Sequence, residues 1–168
     1  MVSNKLFSVS TFQPFNRSTM ITIIQAASKH LDALVPLFDA YRVFYKKASD
    51  PEGAAKFLKG IFDRKDSIIY LAQTPDGEFV GFTQLYPSYS STRMQRLWIL
   101  NDLYVKPEHR GKGVSKQLIE RCKELARETN AAGLLLETTK DNHIGNQLYP
   151  ATGFELENSV NFYFWTNK

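Results

Sequence analysis

The stretch from Asn101 to Ala126, NDLYVKPEHRGKGVSKQLIERCKELA, limits what this chain can fold into more than any other. A mostly apolar, strand-like lead runs into a short loop with two glycines and several cations, and the loop opens a helix. Glycines let backbone N–H groups converge with no Cβ in the way. The start of a helix adds free N–H donors and a partial positive charge. Arg110 and Lys112 add whole charges. A strand–loop–helix of this kind is a seat for an anion, and it implies a parallel strand beyond the helix.

Spacing narrows the choice of anion. A P-loop requires G-x-x-x-x-G-K-[ST], and here Gly113 is followed by Val114 and Ser115. A dinucleotide loop requires G-x-G-x-x-G, and counting from Gly111 gives Gly113 and then Lys116. Taken alone, RGKG reads equally well as a solvated turn ahead of a helix. Charge adds weight to the anion reading. From Lys106 to Arg127 there are seven cations and three anions, a difference of +4 that equals the net charge of the whole chain. A local basic loop and helix suits a compact anionic ligand. Nucleic acid is not expected, because no second basic stripe with interleaved aromatics appears.

The 168 residues fit one domain with a full core. Residues 1–19 are Ser- and Thr-rich, carry Lys5 and Arg17 and no acid, and have no continuous apolar run of a secretory signal. They read as a flexible extension ahead of a domain spanning 20–168. The domain opens with the strand candidate MITIIQAA. Ser28 is expected to cap a helix from about Lys29 to Lys46, with a kink or a short leading turn because of Pro36. Asp50 and Pro51 start a second helix. SIIYLAQT and FVGFTQLYPSYS flank the tight turn PDGE as a β-hairpin, and QRLWILNDLYV reads as a central strand covered on both faces. An amphipathic helix follows from Gly113, then the strand GLLLETT and a short helix in DNHIGNQLYPATGF. FELE and NFYFW close the chain as strands. The expected fold is α/β: a mixed, mostly antiparallel sheet with a central parallel βαβ crossover and flanking helices.

LNDLYVKPEHRGKGVSKQLI resembles the GNAT superfamily of acyl-CoA-dependent N-acetyltransferases, in which R/Q-x-x-G-x-G/A cradles the pyrophosphate of CoA. The motif falls on Arg110, Gly113 and Ser115, with Ser where Gly or Ala is usual. DNHIGNQLYPATGF is similar to the Asn-containing helix of that superfamily and the LY…GF that follows it. Asn142, Tyr149, Gly153 and Phe154 match, Gly145 stands where Ala is frequent, and Pro150 replaces a charged residue. The resemblance covers about residues 21 to 168. AYRVFY, GFTQLYPSYSS and WILNDLYV look similar to a branch that acetylates small amines and amino acids, with histone tails also among its acceptors.

The resemblance implies acetyl-CoA as cosubstrate, held by Arg110, Gly111, Lys112, Gly113, Val114, Ser115 and Asn142, with the backbone of Leu103, Tyr104 and Val105 along its pantetheine arm. It implies direct attack of an amine on the thioester. Tyr149 takes the position of the acid that protonates the leaving thiolate; a phenol's ordinary pKa near 10 suits a thiol's of about 8.5. Asp102, in an otherwise apolar strand, is a candidate base or ammonium partner, or a carboxylate bonded to backbone N–H groups; an unpaired one there would be costly. Glu137 reads as structural. Tyr41, Phe44, Tyr45 and Tyr86 are candidates for the wall of the amine site. His109 and His143 read as solvent-facing, without the spacing of metal ligands, so no metal is expected. Cys122 reads as a core residue.

The expected activity is acetyl transfer to a small primary amine. The alternatives are a protein Lys or N-terminal acceptor, or a catalytically silent CoA-binding domain. A single cysteine argues for a reducing, cytoplasmic compartment. No apolar run approaches bilayer length, so no membrane association is expected. Strands such as NFYFW, able to pair across a two-fold axis, predict a homodimer.

Overall fold

The computed structural model describes residues 20–167; the expected extension over residues 1–19 lies outside them. Five strands make one sheet in the order β1-β2-β3-β4-β5. They are β1 (Thr22–Gln25), β2 (Ile68–Gln73), β3 (Phe79–Ser90), β4 (Gln95–Val105) and β5 (Leu134–Leu135). The first three pairings are antiparallel. The fourth, β4 with β5, is parallel, and the crossover between them is α3 (Val114–Glu128). The mixed α/β sheet is the one expected from the sequence.

Helices cover both faces. On one side α1 (Leu31–Phe44) and α2 (Pro51–Arg64) bury Leu34, Leu37, Phe38, Leu58 and Ile61 against Ile69, Leu71, Phe82 and Tyr104. On the other, α3 lays Val114, Leu118, Ile119, Cys122 and Leu125 against Tyr70, Val80, Leu85, Trp98 and Leu100. The i, i+4, i+5, i+8, i+11 spacing of that α3 stripe is one face of a 3.6-residue helix. Cys122 is fully buried in it, and its thiol is pushed up to about 12 by burial. The short α4 (His143–Ala151) closes one end of the sheet, with Leu148 and Tyr149 partly buried against the α3-side core.

Local signals explain most boundaries. Asp50 Oδ1 accepts the Gly53 N–H at 2.8 Å, and Pro51 takes the first helical position of α2. Ser28 does not cap α1. It lies in a 3₁₀ turn, Ser28–His30, that leads into the helix, and the Ala27 N–H donates to His30 Nδ1 at 2.9 Å instead. Pro36 lies inside α1, and its ring leaves the Asp32 carbonyl without a helical donor.

Two departures concern the C-terminal third. GLLLETT forms only a two-residue strand, paired at Trp98–Leu134 and Ile99–Leu135. FELE and NFYFW form no strand. The parallel pair therefore stands at one edge of the sheet rather than at its centre. A strand exists only where a neighbour satisfies its backbone. Among the described residues nothing lies beyond β5 to provide one.

The β3–β4 pairing is close enough to need glycine. A Cβ on Gly81 would stand 2.6 Å from the Tyr104 carbonyl oxygen and 3.3 Å from Val105 Cα. Gly81→Ala should lower the unfolding free energy by about 1–3 kcal/mol through overpacking, read from urea denaturation midpoints at unchanged slope.

Candidate active site

The site is built where β4 loses its neighbour. Pairing with β5 stops at Ile99–Leu135, whereas pairing with β3 runs on to Val105. From Leu100 onward one flank of β4 is free. Because β4 and β5 are parallel, their carboxyl ends open in the same direction, which is where α/β sheets bind ligands. A cleft of about 300 Å³ occupies the gap. Its walls come from β4 (Asn101, Leu103, Tyr104, Val105), from the loop and start of α3 (His109, Arg110, Gly111, Val114, Ser115) and from α1 (Tyr41, Phe44, Tyr45). Glu137, Asn142, Gly145, Leu148 and Tyr149 complete it.

The loop end of the cleft carries the candidate anion seat. Gly111 and Gly113 adopt φ of 71° and 80°, and nothing lies within 4 Å of the Cβ either would carry. Gly113 is the N-cap of α3, and no side chain caps that helix. Arg110 donates from Nε to the Val105 carbonyl at 2.9 Å, and its guanidinium lies 5.6 Å from the Phe44 ring centroid and 5.7 Å from that of Tyr104. Its remaining donors have no protein partner among the described residues. Left-handed glycines, an uncapped helix start and a cation held by its stem fit a pyrophosphate. Lys112 is exposed, and neither it nor Gly113 lines the cleft.

The other end carries titratable groups. Between β3 and β4 the register skips a residue: Gln84 faces Asp102 and Leu85 faces Leu100. Asn101 is the extra residue of a β-bulge, a device that re-aims side chains. Its amide donates to both carboxylate oxygens of Asp102 at 3.1 Å. Asp102 is 6% exposed and lies behind the cleft rather than on its wall. Burial raises its pKa above the ordinary value, partly offset by hydrogen bonds from Asn101 and Tyr41. Burial, and then the Asp102 charge, raises Tyr41 and Tyr45 in turn, with Thr138 partly countering the shift at Tyr45. Burial and its neighbour Tyr45 push Tyr149 up to about 12, so it keeps its proton at neutral pH.

Tyr41 and Tyr45 meet edge to face at 5.0 Å and, with Phe44, form one wall of the cleft. Tyr86 is not on that wall. Its hydroxyl accepts from Gln84 Nε2 at 3.0 Å in a part-buried network that includes Ser67, and burial followed by the Asp102 charge pushes it up to about 12. Asn142 caps α4 by accepting from the Gly145 N–H at 3.0 Å, and it donates to Thr138 Oγ1 at 2.8 Å. A Cβ on Gly145 would stand 2.6 Å from the Asn142 amide nitrogen, so an Ala there would require the Asn142 side chain to shift.

Three residues take places the sequence reading did not give them. Asn101 holds Asp102, and only the bulge reveals it. Glu137 lines the cleft; its place beyond a strand parallel to β4 was the available signal. His109 is part-buried and lines the cleft, 3.8 Å from Glu78, instead of facing solvent.

Comparison with known proteins agrees with this geometry. Residues 34–154 match the model of the acetyltransferase (GNAT) family. An uncharacterized N-acetyltransferase, YhfO, of Bacillus subtilis is 43% identical over 135 residues, covering 80% of this chain and 90% of the relative. A D-amino-acid N-acetyltransferase of Saccharomyces cerevisiae, HPA3, is 26% identical over 133 residues, covering 77% and 81%. The crystal structure of a probable acetyltransferase superposes with a TM-score of 0.84 at 41% identity, covering 88% of this chain and 98% of that one. The chain belongs to the GNAT family and is an acetyltransferase.

The Asp102 shift has a sign that can be tested. Its folded-state pKa lies above the ordinary 3.8, so the folded protein holds the proton more tightly than the unfolded chain. The stabilisation that this gives is complete below pH 3.8 and is lost as pH rises through the folded value. Asp102→Asn, neutral throughout, should gain Tm relative to the parent as pH rises from about 4 to 8, measured by calorimetry. A gap independent of pH would contradict a buried carboxylate whose hydrogen bonds only partly offset its desolvation.

Proposed function

We propose that the chain transfers the acetyl group of acetyl-CoA to a primary amine of a small molecule or amino acid, by direct attack in a ternary complex. The observation that carries this reading is the single cleft on the free flank of β4. It joins the Arg110–Ser115 anion seat to Tyr149 and to the Tyr41–Tyr45 wall over Asp102. A concave cleft of about 300 Å³, shared by cofactor and acceptor and walled by Tyr41, Phe44 and Tyr45, favours a small acceptor over a protein surface. The relative named for D-amino-acid acetylation supports the same class.

When bound, acetyl-CoA supplies the acetyl group as a thioester with a thiolate leaving group. Gly111, Gly113, Val114 and Ser115 would offer backbone N–H groups to the pyrophosphate, with Arg110 adding charge at the cleft and Lys112 from the exposed side of the loop. The open flank of β4 at Leu103 and Tyr104 would hold the pantetheine arm and carbonyl, as an oxyanion site does, while the Val105 carbonyl is taken by Arg110. Asn142 fixes the neighbouring end of α4. An aliphatic amine is protonated at neutral pH, so a base must take a proton before attack. Asp102, behind the cleft wall, takes that role through water, since burial raises its basicity while Asn101 holds it in place. Tyr149, protonated at neutral pH, gives its proton to the departing sulfur. The one cysteine, Cys122, is buried and protonated, consistent with a reducing cytoplasmic setting.

Tyr149→Phe should lower kcat by about 10²–10⁴-fold with little change in the Kd for acetyl-CoA, followed by thiol release and calorimetry over a panel of amino acids, polyamines and Lys peptides. Unchanged turnover removes Tyr149 from the acid role. Turnover with Lys peptides alone moves the acceptor to protein. Tight acetyl-CoA binding with no turnover on any amine favours a silent CoA-binding domain. Separately, Gly113→Val forces a β-branched residue into φ of 80° and should weaken acetyl-CoA binding by at least about tenfold.

A further inference from the structure

A buried polar atom beside the site has no partner. Gln84 lies in the middle of β3 with none of its surface exposed. Its Nε2 donates to Ser67 Oγ at 2.8 Å and to the Tyr86 hydroxyl at 3.0 Å, which uses both of its hydrogens. Its Oε1 is buried and accepts nothing among the described residues. A buried carbonyl oxygen without a donor is costly, and folded proteins carry few of them.

The sheet places one group where the missing donor belongs. Gln84 is paired with Asp102 across the β3–β4 ladder. Facing residues of an antiparallel pair stand on one face, with Cβ atoms about 4.5–5.5 Å apart. That face carries Phe82, Tyr86 and Tyr104 and is covered by α1 and α2. Asp102 is buried, and Asn101 and Tyr41 donate to its carboxylate. The titratable groups around it are Tyr41 and Tyr45 from α1 and Tyr86 from β3, with Asp66 near Tyr86. Beyond β5, Glu137 lines the cleft. None of these is a cation. The ionised carboxylate therefore has no counter-ion among them, whereas a protonated Asp102 has an O–H in need of an acceptor.

We propose that Gln84 is a positioning residue for the base: when Asp102 takes up a proton, the new O–H donates to Gln84 Oε1. This rests on the reading of Asp102 as the base. The ammonium N–H bond breaks, its electron pair stays on nitrogen, and the proton passes through water to Asp102. The O–H bond that forms there meets the unpartnered acceptor opposite it. A hydrogen bond to the neutral form favours that form. Gln84 therefore strengthens Asp102 as a base, in the same direction as burial. Ser67 and Tyr86 fix which way the amide lies. The opposite orientation would turn Nε2 toward Asp102 and stabilise the carboxylate instead, so the two arrangements predict opposite signs.

Gln84→Met nearly keeps the volume and removes the oxygen. The Asp102 carboxyl is titrated by heteronuclear NMR in protein carrying carboxyl-labelled aspartate, with Asp102→Asn giving the assignment. Its pKa should fall in Gln84→Met by at least about half a pH unit. The acid limb of the kcat profile should move to lower pH with it, while the plateau drops. A packing role alone would lower the plateau and leave the titration in place. An unchanged or raised Asp102 pKa overturns the proposal. The titration needs no turnover, so its failure is distinct from a failure of the base assignment, which full kcat in Asp102→Asn would show. If Gln84→Met loses its far-UV circular dichroism, a neutron structure of the parent below the Asp102 midpoint decides. A deuteron between Asp102 and Gln84 Oε1 supports the bond, and Nε2 facing Asp102 overturns it.

Discussion

Everything the site does depends on β4 having a partner along its whole length on one side and along only part of it on the other. Pairing with β3 holds the strand rigid to Val105, while the bond to β5 ends at Ile99. Had the parallel pair continued, the cleft would be sheet, and the loop that follows would seat an anion with no path to the reacting end. The helix start, the free strand flank and Tyr149 share one cavity because the two strands part at that point. Gly81 contributes from behind, since only a residue without Cβ lets β3 approach Tyr104 and Val105 so closely.

The electrostatics distinguish the proposed proton acceptor, Asp102, from the proposed proton donor, Tyr149. Asp102 is a buried carboxylate that Asn101 bonds at both oxygens and that three tyrosines sense as a neighbouring charge. Tyr149 is raised chiefly by burial, with Tyr45 adding to it, and Asp102 has no part in its shift. Groups pushed in directions that keep one proton-hungry and the other protonated are the pattern expected of an acid–base pair. The relation to the GNAT family supplies the reaction class, while these residues supply the proposed roles.

Much of this was legible in the sequence because local rules dominate there. The glycine loop, the α3 stripe and the Asp50–Pro51 helix start depend on spacing and backbone freedom within a few residues. The hairpin from Ile68 to Ser90 announced itself through two β-rich runs on either side of the turn residues Pro75–Gly77. What failed depends on partners distant in sequence. The bulge at Asn101 is a register decision made by β3, so Asn101 gave no signal of its own. Tyr86 packs on the same side of the sheet as Tyr41, yet Gln84 draws its hydroxyl into a separate network. FELE and NFYFW have strand composition, but composition does not create the neighbouring strand that a ladder requires.

The central claim is that one continuous seat runs from the α3 loop along the free flank of β4 to Tyr149. A crystal structure of the protein with CoA tests it most directly. The account predicts pyrophosphate oxygens within hydrogen-bond distance of backbone N–H groups between Gly111 and Ser115, and the CoA sulfur within reach of the Tyr149 hydroxyl. A pyrophosphate bound away from the loop, or a sulfur directed away from Tyr149, would contradict it.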